Sequence, residues 1–278
     1  RRLSLAAHRE LARAAGYLSF YLGLLAADTG DDPSARRFAT LAEQFAAQVD
    51  DDLLTGTVAT LDAMLAIIAG RCEAALHSAQ RALAVAHPYL QGWALMAQAR
   101  AAAALGDTRQ GAAARRGLTE RPCVRGLRHP GWPPFDEVCE ALLAAEVALV
   151  TGERDAAALA CAAVDQTEPG TLERGWALAA LAGALAAEDP PAAVRLLGEV
   201  DAILRRTPSR LLADRLEQVS ALVRAAGTAG PAGAVTAAGA PAAVELLAPE
   251  ASRTSRTSVS GVPGRRPDLP PPRHTGPA

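Results

Sequence analysis

Cysteine and histidine have the widest chemical repertoire of the residues in this chain, and their spacing argues against a metal site. The four cysteines are Cys72, Cys123, Cys139 and Cys161, and no two of them form a Cys-x-x-Cys pair. A structural zinc ion needs four convergent ligands, and His129, the histidine nearest to Cys123, has no second cluster beside it. We therefore expect no metal and no cofactor. Cys139 and Cys161 are expected to be small core residues of a cytoplasmic protein.

The motifs of the common enzyme classes are also missing from the sequence. It contains no Gly-x-Ser-x-Gly, no P-loop and no Gly-x-Gly-x-x-Gly. The histidines are scattered over the chain, at His8, His77, His87, His129 and His274. Catalysis requires a base, a nucleophile or a metal in convergent positions, so no catalytic residue is predicted and the protein is not expected to be an enzyme.

The elements that would have to position any site are helices, separated by short breaks. Ala and Leu favour helix, and Gly30 can take the left-handed conformation that ends one. Asp32 is predicted to cap the next helix, with Pro33 at its first position. Further breaks fall at Gly70-Arg71, Gly106-Asp107, Gly152-Glu153 and Glu188-Asp189-Pro190, in steps of 40, 36, 46 and 36 residues. This period predicts stacked antiparallel helical hairpins.

The pattern resembles tetratricopeptide repeats over about residues 9–225. Leu22-Gly23 matches the Leu-Gly pair of that family, and Pro169 matches its closing proline. Small residues also recur at fixed offsets from the breaks, at Ala35, Ala75, Ala157 and Ala193 and again at Ala42 and Ala82. The resemblance implies an all-α fold, a right-handed superhelical solenoid of about five hairpins with a capping helix over residues 1–225. Other helical-hairpin solenoids fit the same pattern.

In tetratricopeptide arrays the first helix of each hairpin lines a concave groove, so the resemblance also implies a partner site. Trp93 would supply a flat anchor, Met64 and Met96 adaptable apolar contacts, and Arg100 a donor for a carboxylate. The implied occupant is a peptide or protein segment, for example a short peptide with a free C-terminus. The full set of implied partner-binding positions is Tyr17, Phe20, Thr57, Thr60, Met64, Trp93, Met96, Arg100 and Glu146.

The alternative interpretation of these positions is plain core packing. The two differ in the expected effect of Trp93→Ala. A groove residue can be truncated with the fold intact and partner capture lost, whereas a core tryptophan costs about 3–5 kcal/mol of stability.

Two segments lack the helical pattern. Residues 119–138 are either a long connector anchored by Trp132 or a basic protrusion that touches a partner. Residues 226–278 are rich in Gly, Pro, Ala, Ser and Thr and contain no aromatic residue. We expect this tail to be disordered, and we expect deletion of residues 227–278 to leave the thermal midpoint unchanged. The terminal helix would begin near Thr207-Pro208.

The opening RELARAAGYLSFYLGLLAADTGD and the WPPFDE element are similar to the C-terminal region of helix-turn-helix transcriptional regulators from high-GC Gram-positive bacteria. This resemblance implies a non-catalytic module that senses a ligand or binds a peptide or protein, with a homodimer compatible with that role. A free-standing scaffold for protein assembly is the alternative.

Membrane insertion and DNA binding are not expected of this chain. The formal net charge of −2 gives no electrostatic footprint for nucleic acid, and the sequence shows no preceding DNA-reading domain. Apolar runs such as residues 142–150 are too short to cross a membrane.

Overall fold

The computed structural model describes residues 4–85, 87–119 and 129–237. Regular structure in this part of the chain is entirely helical. In chain order the helices are α1 (Leu5–Thr29), α2 (Asp32–Ala46), α3 (Asp52–Ile68), α4 (Cys72–Ala84), α5 (Gln91–Ala104), α6 (Thr108–Thr119), α7 (Glu137–Thr151), α8 (Ala156–Asp165), α9 (Leu172–Leu185), α10 (Pro190–Leu204) and α11 (Arg210–Ala237). The all-α prediction is therefore confirmed for these residues.

Glycines follow the ends of α1, α3, α5 and α7, where the sequence predicted the breaks. Each adopts a left-handed conformation, with φ of 87° at Gly30, 68° at Gly70, 76° at Gly106 and 67° at Gly152. The Gly30 amide donates to carbonyls of the last turn of α1, which satisfies groups that a helix end leaves free. The chain then turns back into an antiparallel partner helix.

The helix after Gly30 is capped one residue earlier than predicted. Asp31, not Asp32, is the N-cap of α2, and its Oδ1 accepts from the Ser34 amide at 3.1 Å. Asp32 already has helical geometry and lies in the first turn, so Pro33 occupies the second helical position. At α10 the predicted cap is correct, because the Asp189 carboxylate accepts from the Ala192 amide at 2.9 Å.

The helices form two layers. Consecutive helices pack tightly against each other, and each odd-numbered helix also contacts the next odd-numbered helix. Even-numbered helices contact their odd-numbered neighbours and not one another within the part that the structure describes. The odd-numbered helices therefore form one continuous layer, and the even-numbered helices form a second layer packed against it.

Small residues allow the helices to approach closely. A Cβ at Gly16 would lie 2.7 Å from the Leu54 side chain, and one at Gly175 would lie 2.6 Å from Leu212. Alanines after the turns are buried in the same way, as at Ala35, Ala75 and Ala193. In the fourth hairpin the predicted Ala157 is only half-buried, and its neighbour Ala156 takes the buried position.

The first and last helices of the described chain meet. The Ser209 hydroxyl, just before α11, donates to Asp28 Oδ1 near the end of α1 at 2.7 Å. Arg210 Nη1 lies 3.1 Å from Asp32 Oδ1 and packs over Gly30. We call these contacts the clasp.

The end of α11 differs from the predicted boundary. The helix was expected to finish before residue 226, and it continues to Ala237. Residues 227–233 hold three glycines and Pro231, which helix propensity disfavours, so propensity does not account for this extension. Residues 120–128 and 238–278, which include most of the predicted tail, lie outside the described residues.

Candidate functional site

Residues 129–135 pack against the layer of odd-numbered helices. We call this segment the strap. It connects to α7 at Asp136, whose carboxylate caps that helix by accepting from the Cys139 amide. The strap turns at Gly131, which has a φ of 100°. Trp132 follows and is only 5% exposed. Trp132 is thus buried as the anchor interpretation expected, whereas residues 120–128, which carry most of the basic residues of the alternative, lie outside the described residues.

Aromatic side chains enclose Trp132. Its ring stacks on Trp93 of α5 with centroids 4.9 Å apart, and Phe20 of α1 meets it edge-on at 5.2 Å. Phe135 packs edge-on against Trp93 at 5.5 Å. Each such pair adds favourable free energy beyond the buried area, so the pocket is shaped for an indole.

Four hydrogen bonds hold the strap in place. Trp132 Nε1 donates to the carbonyl of Thr57 at 3.2 Å, and the Tyr89 hydroxyl donates to the carbonyl of Trp132 at 2.9 Å. Trp93 Nε1 donates to the carbonyl of Pro133 at 2.7 Å, and the Gly131 amide donates to the Tyr21 hydroxyl at 2.9 Å. Three of these bonds use the strap's backbone, so the groove accepts peptide main chain as well as one side chain.

Gly131 makes its closest approach to the helices at Thr57. A Cβ there would lie 2.9 Å from both Thr57 Cγ2 and Thr57 Oγ1. Its left-handed φ also disfavours any side chain. Thr57 Oγ1 is buried and finds no hydrogen-bond partner among the described residues, because the strap covers it with a glycine.

The predicted groove positions of α1, α3 and α5 prove to be mostly core. Phe20 and Thr57 are 0% exposed, Thr60 is 2% exposed, and Met64, Trp93 and Met96 are half-buried. The Thr60 hydroxyl donates to the carbonyl of Gly56 inside α3. The open groove that the sequence implied is thus filled by the chain itself. Phe20, Thr57 and Trp93 contact the strap directly.

Tyr17 does not belong to this site. It is 7% exposed and packs with apolar residues of α2 and α3, among them Leu54 and Val58. Burial, followed by the charge of Asp51, raises the pKa of the Tyr17 hydroxyl. Its assignment to the groove was wrong, because its position on α1 faces the neighbouring hairpin instead of the strap.

Arg100 and Glu146, predicted as separate groove residues, bind each other. Arg100 Nε donates to Glu146 Oε2 at 2.6 Å, and Nη2 contacts the same oxygen. The guanidinium also lies 5.9 Å from the Trp176 ring centroid. The role assigned to Arg100, as a donor for a ligand carboxylate, is therefore corrected: this chain supplies the carboxylate.

Sequence reasoning missed Arg215 and Trp176, which complete this charged cluster. Arg215 of α11 is 4% exposed, and burial lowers its pKa while the charge of Glu146 raises it. The cluster thus joins α5, α7, α9 and α11. One signal was available, because Gly175-Trp176 in the first half of α9 repeats the Gly92-Trp93 pair near the start of α5.

The described part of the chain shows no metal-binding cluster. It holds no group of three His, Cys, Asp or Glu side chains that could bind a metal ion. Burial raises the pKa of the Cys139 thiol to about 12, which keeps it protonated and poorly nucleophilic. No helix among these residues has the length and apolarity to cross a membrane.

No protein-family model, curated protein or solved structure matches this chain. The functional assignment therefore depends on the geometry of the groove and the strap.

Proposed function

We propose that this chain is a non-catalytic interaction module whose groove binds a peptide segment carrying a tryptophan. The observation that carries the proposal is the strap, which occupies the groove through one buried indole and three backbone hydrogen bonds. It serves as an intramolecular example of the ligand class. A partner segment would replace it in the same contacts.

The contacts divide into general and selective ones, as in other peptide-binding grooves. Tyr89, Trp93 and Tyr21 bind main-chain groups, which every peptide has. The pocket formed by Phe20, Trp93 and Thr57 accepts a large flat ring and provides the selectivity. A glycine before the tryptophan is also required, since Thr57 leaves no room for a Cβ.

The strap makes partner binding conditional. The strap competes with a partner for the groove at an effective concentration of about millimolar, because it belongs to the same chain. A partner from another molecule therefore has to bind tightly, or it binds only after the strap has been released. Such competition is typical of a sensor, because partner binding then depends on release of the strap. The resemblance of the opening segment and of WPPFDE supports placing the module in a helix-turn-helix transcriptional regulator, as a solenoid of tetratricopeptide-like hairpins with a right-handed superhelix.

The test uses the full chain with Trp132→Ala and a labelled peptide of residues 129–136. The substitution empties the indole pocket, at a stability cost of about 3–5 kcal/mol. We expect fluorescence anisotropy to show the peptide binding to Trp132→Ala at least tenfold more tightly than to the wild-type chain. The thermal midpoint of the variant should rise as peptide is added.

Two controls keep the result interpretable. Trp176→Ala truncates the same residue type outside the strap contacts, and it should not create peptide binding. Gly131→Ala displaces the strap by strain and retains Trp132, so it provides a second open groove if Trp132→Ala does not fold. Equal peptide affinity for the wild-type chain and both strap variants would refute the proposal.

A further inference from the structure

The outer face of α1 carries a line of exposed leucines. Leu11, Leu18, Leu22 and Leu25 are 56%, 63%, 45% and 60% exposed, and we call them the α1 stripe. Leu11, Leu18 and Leu25 are seven residues apart and lie along one line of the helix. The opposite face of α1 packs into the fold through Gly16 and its neighbours. The stripe therefore faces directly away from the core.

Exposed apolar residues are concentrated on this one helix. Six of the nine large exposed hydrophobic residues in the described part of the chain belong to α1. Isolated exposed leucines are ordinary, but a contiguous apolar patch on a surface marks an interaction site.

No charged residue of α1 interrupts the stripe. The helix turns by about 100° per residue, which places Arg9, Glu10, Arg13 and Asp28 outside the arc that holds the leucines. Three of those charges are also engaged within the chain. Arg13 binds Glu10 at 2.5 Å and Asp51 at 2.6 Å, and Asp28 accepts from Ser209. An apolar partner surface would meet neither an unpaired charge nor a repulsive one along the stripe.

We propose that the α1 stripe binds the α1 stripe of a second copy of this chain, with the two helices antiparallel and centred on Leu18. In that register Leu18 meets its own copy, and Leu11 meets Leu25 of the second copy. A twofold axis makes such a contact self-complementary.

The residues beside the leucines fit the same register. Ala14 and Tyr21 lie on one edge of the stripe, and Ala15 and Leu22 lie on the other. The antiparallel arrangement sets Ala14 opposite Tyr21 of the second copy and Ala15 opposite Leu22. Each copy supplies the small side chain where the other supplies the large one, as interdigitated helix packing requires.

The area of the exposed face is enough for a weak, specific dimer. From Ala7 to Thr29 the exposed face extends about 33 Å, at 1.5 Å per residue. Two helices in contact over that length bury on the order of 1,000 Å², near the lower limit for specific interfaces. We therefore expect a dissociation constant of about micromolar.

The first experiment measures the mass of the full chain by light scattering at several concentrations. The monomer mass is 28.6 kDa, and we expect the average mass to approach twice that value at about 100 μM. Leu18→Glu should hold the chain at the monomer mass. Val194→Glu is the matched control, because Val194 is 59% exposed on α10, and it should leave the dimer intact.

The second experiment tests the register. Leu18→Cys should form a covalent dimer under mild oxidation, well above the wild-type background from the native cysteines. Leu11→Cys and Leu25→Cys should crosslink to each other in a mixture and poorly when each is alone.

Three outcomes would overturn the proposal. They are a wild-type chain that stays monomeric, a Leu18→Glu variant that still dimerises, and a monomer that loses thermal stability on Leu18→Glu. The last would show that another part of the same chain covers the stripe. None of these outcomes depends on the peptide groove.

Discussion

Asp62 is the side chain whose ionisation most clearly lowers the stability of the fold. It lies on α3 near Arg81 of α4, at 3.9 Å. Burial, followed by the negative charge of Glu43, raises its pKa from 3.8 to about 6, although Arg81 and Arg71 act in the opposite direction. At neutral pH the folded protein therefore holds Asp62 ionised, at a free-energy cost that the unfolded chain does not bear.

The pKa shift gives stability a defined pH dependence. Between about pH 4 and 6 the unfolded chain has released this proton and the folded chain retains it. Stability therefore falls as pH rises through that window, and stays lower above it. We expect Asp62→Asn to raise the free energy of unfolding at pH 7 by about 1–2 kcal/mol, after allowance for residual exposure. Urea unfolding measures this.

The difference between Asp62→Asn and the wild type should vanish below about pH 4, where both side chains are neutral. Asp31→Asn is the control of opposite sign, because hydrogen bonds from Ser34 lower the pKa of the exposed Asp31. It should give no gain at pH 7. A gain that persists unchanged at pH 3.5 would show that the effect of Asp62→Asn is not electrostatic.

Single residues were the hardest part of the site to predict from sequence. Arg100 and Glu146 were placed on the inner face of their helices, but their ion pair joins residues 46 positions apart. Helical periodicity gives the face of a residue and not the partner across a helix interface. For the same reason Arg215, buried against this pair, was not identified.

At the scale of the helices, the glycines include positions with no space for a Cβ atom and positions with free space around them. A Cβ at Gly92 of α5 would lie 2.3 Å from the Phe135 ring and 2.8 Å from Phe135 Cβ, whereas one at Gly198 of α10 would meet nothing within 4 Å. We expect Gly92→Ala to destabilise the protein by about 2 kcal/mol or more, because the ring is fixed against Trp93. Gly198→Ala should stabilise it by about 0.5–1 kcal/mol.

Chemical denaturation of both variants checks these signs. Gly92→Ala should also weaken the protection of the strap amides against hydrogen exchange, since Phe135 ends the strap. If Gly92→Ala left the free energy of unfolding unchanged, the Phe135 side chain would move aside at little cost. Phe135 would then no longer be assigned to the groove.

The helices and their ends could largely be predicted, because propensity and capping act within a few residues. The left-handed glycines at residues 30, 70, 106 and 152 were all anticipated. The insertion of the strap could not be predicted, although Trp132 was considered as an anchor. Its position depends on Thr57, Tyr89 and Trp93 from other helices, and local rules say nothing about such contacts.

At the scale of the whole molecule, the C-terminal boundary can be tested by truncation. Among the described side chains of α11, Val223 is the last that is buried. Residues 238–278 contain no aromatic residue. We expect removal of residues 238–278 to leave the thermal midpoint unchanged within error, as followed by circular dichroism. Truncation at residue 218 should lower it by several degrees, because it removes buried Val219 and Val223.

The charge of the whole chain also makes a prediction. Its formal net charge of −2 provides no excess of positive charge for a phosphate backbone. We expect the purified chain to show no sequence-selective shift of duplex DNA in a mobility assay at physiological salt. A selective, salt-resistant shift would contradict this and would reveal a reading surface.

The clasp has a mechanical consequence. A row of helix pairs, each touching only its neighbours, behaves as a spring that stretches and twists by small rotations at every joint. In this protein the two ends of the row are fastened by Asp28 to Ser209 and by Asp32 to Arg210. A force that separates the two ends of the row therefore acts first on these two side-chain contacts. Because α1 contacts α11, the described helices close into a ring, and these contacts must break before the ring can open.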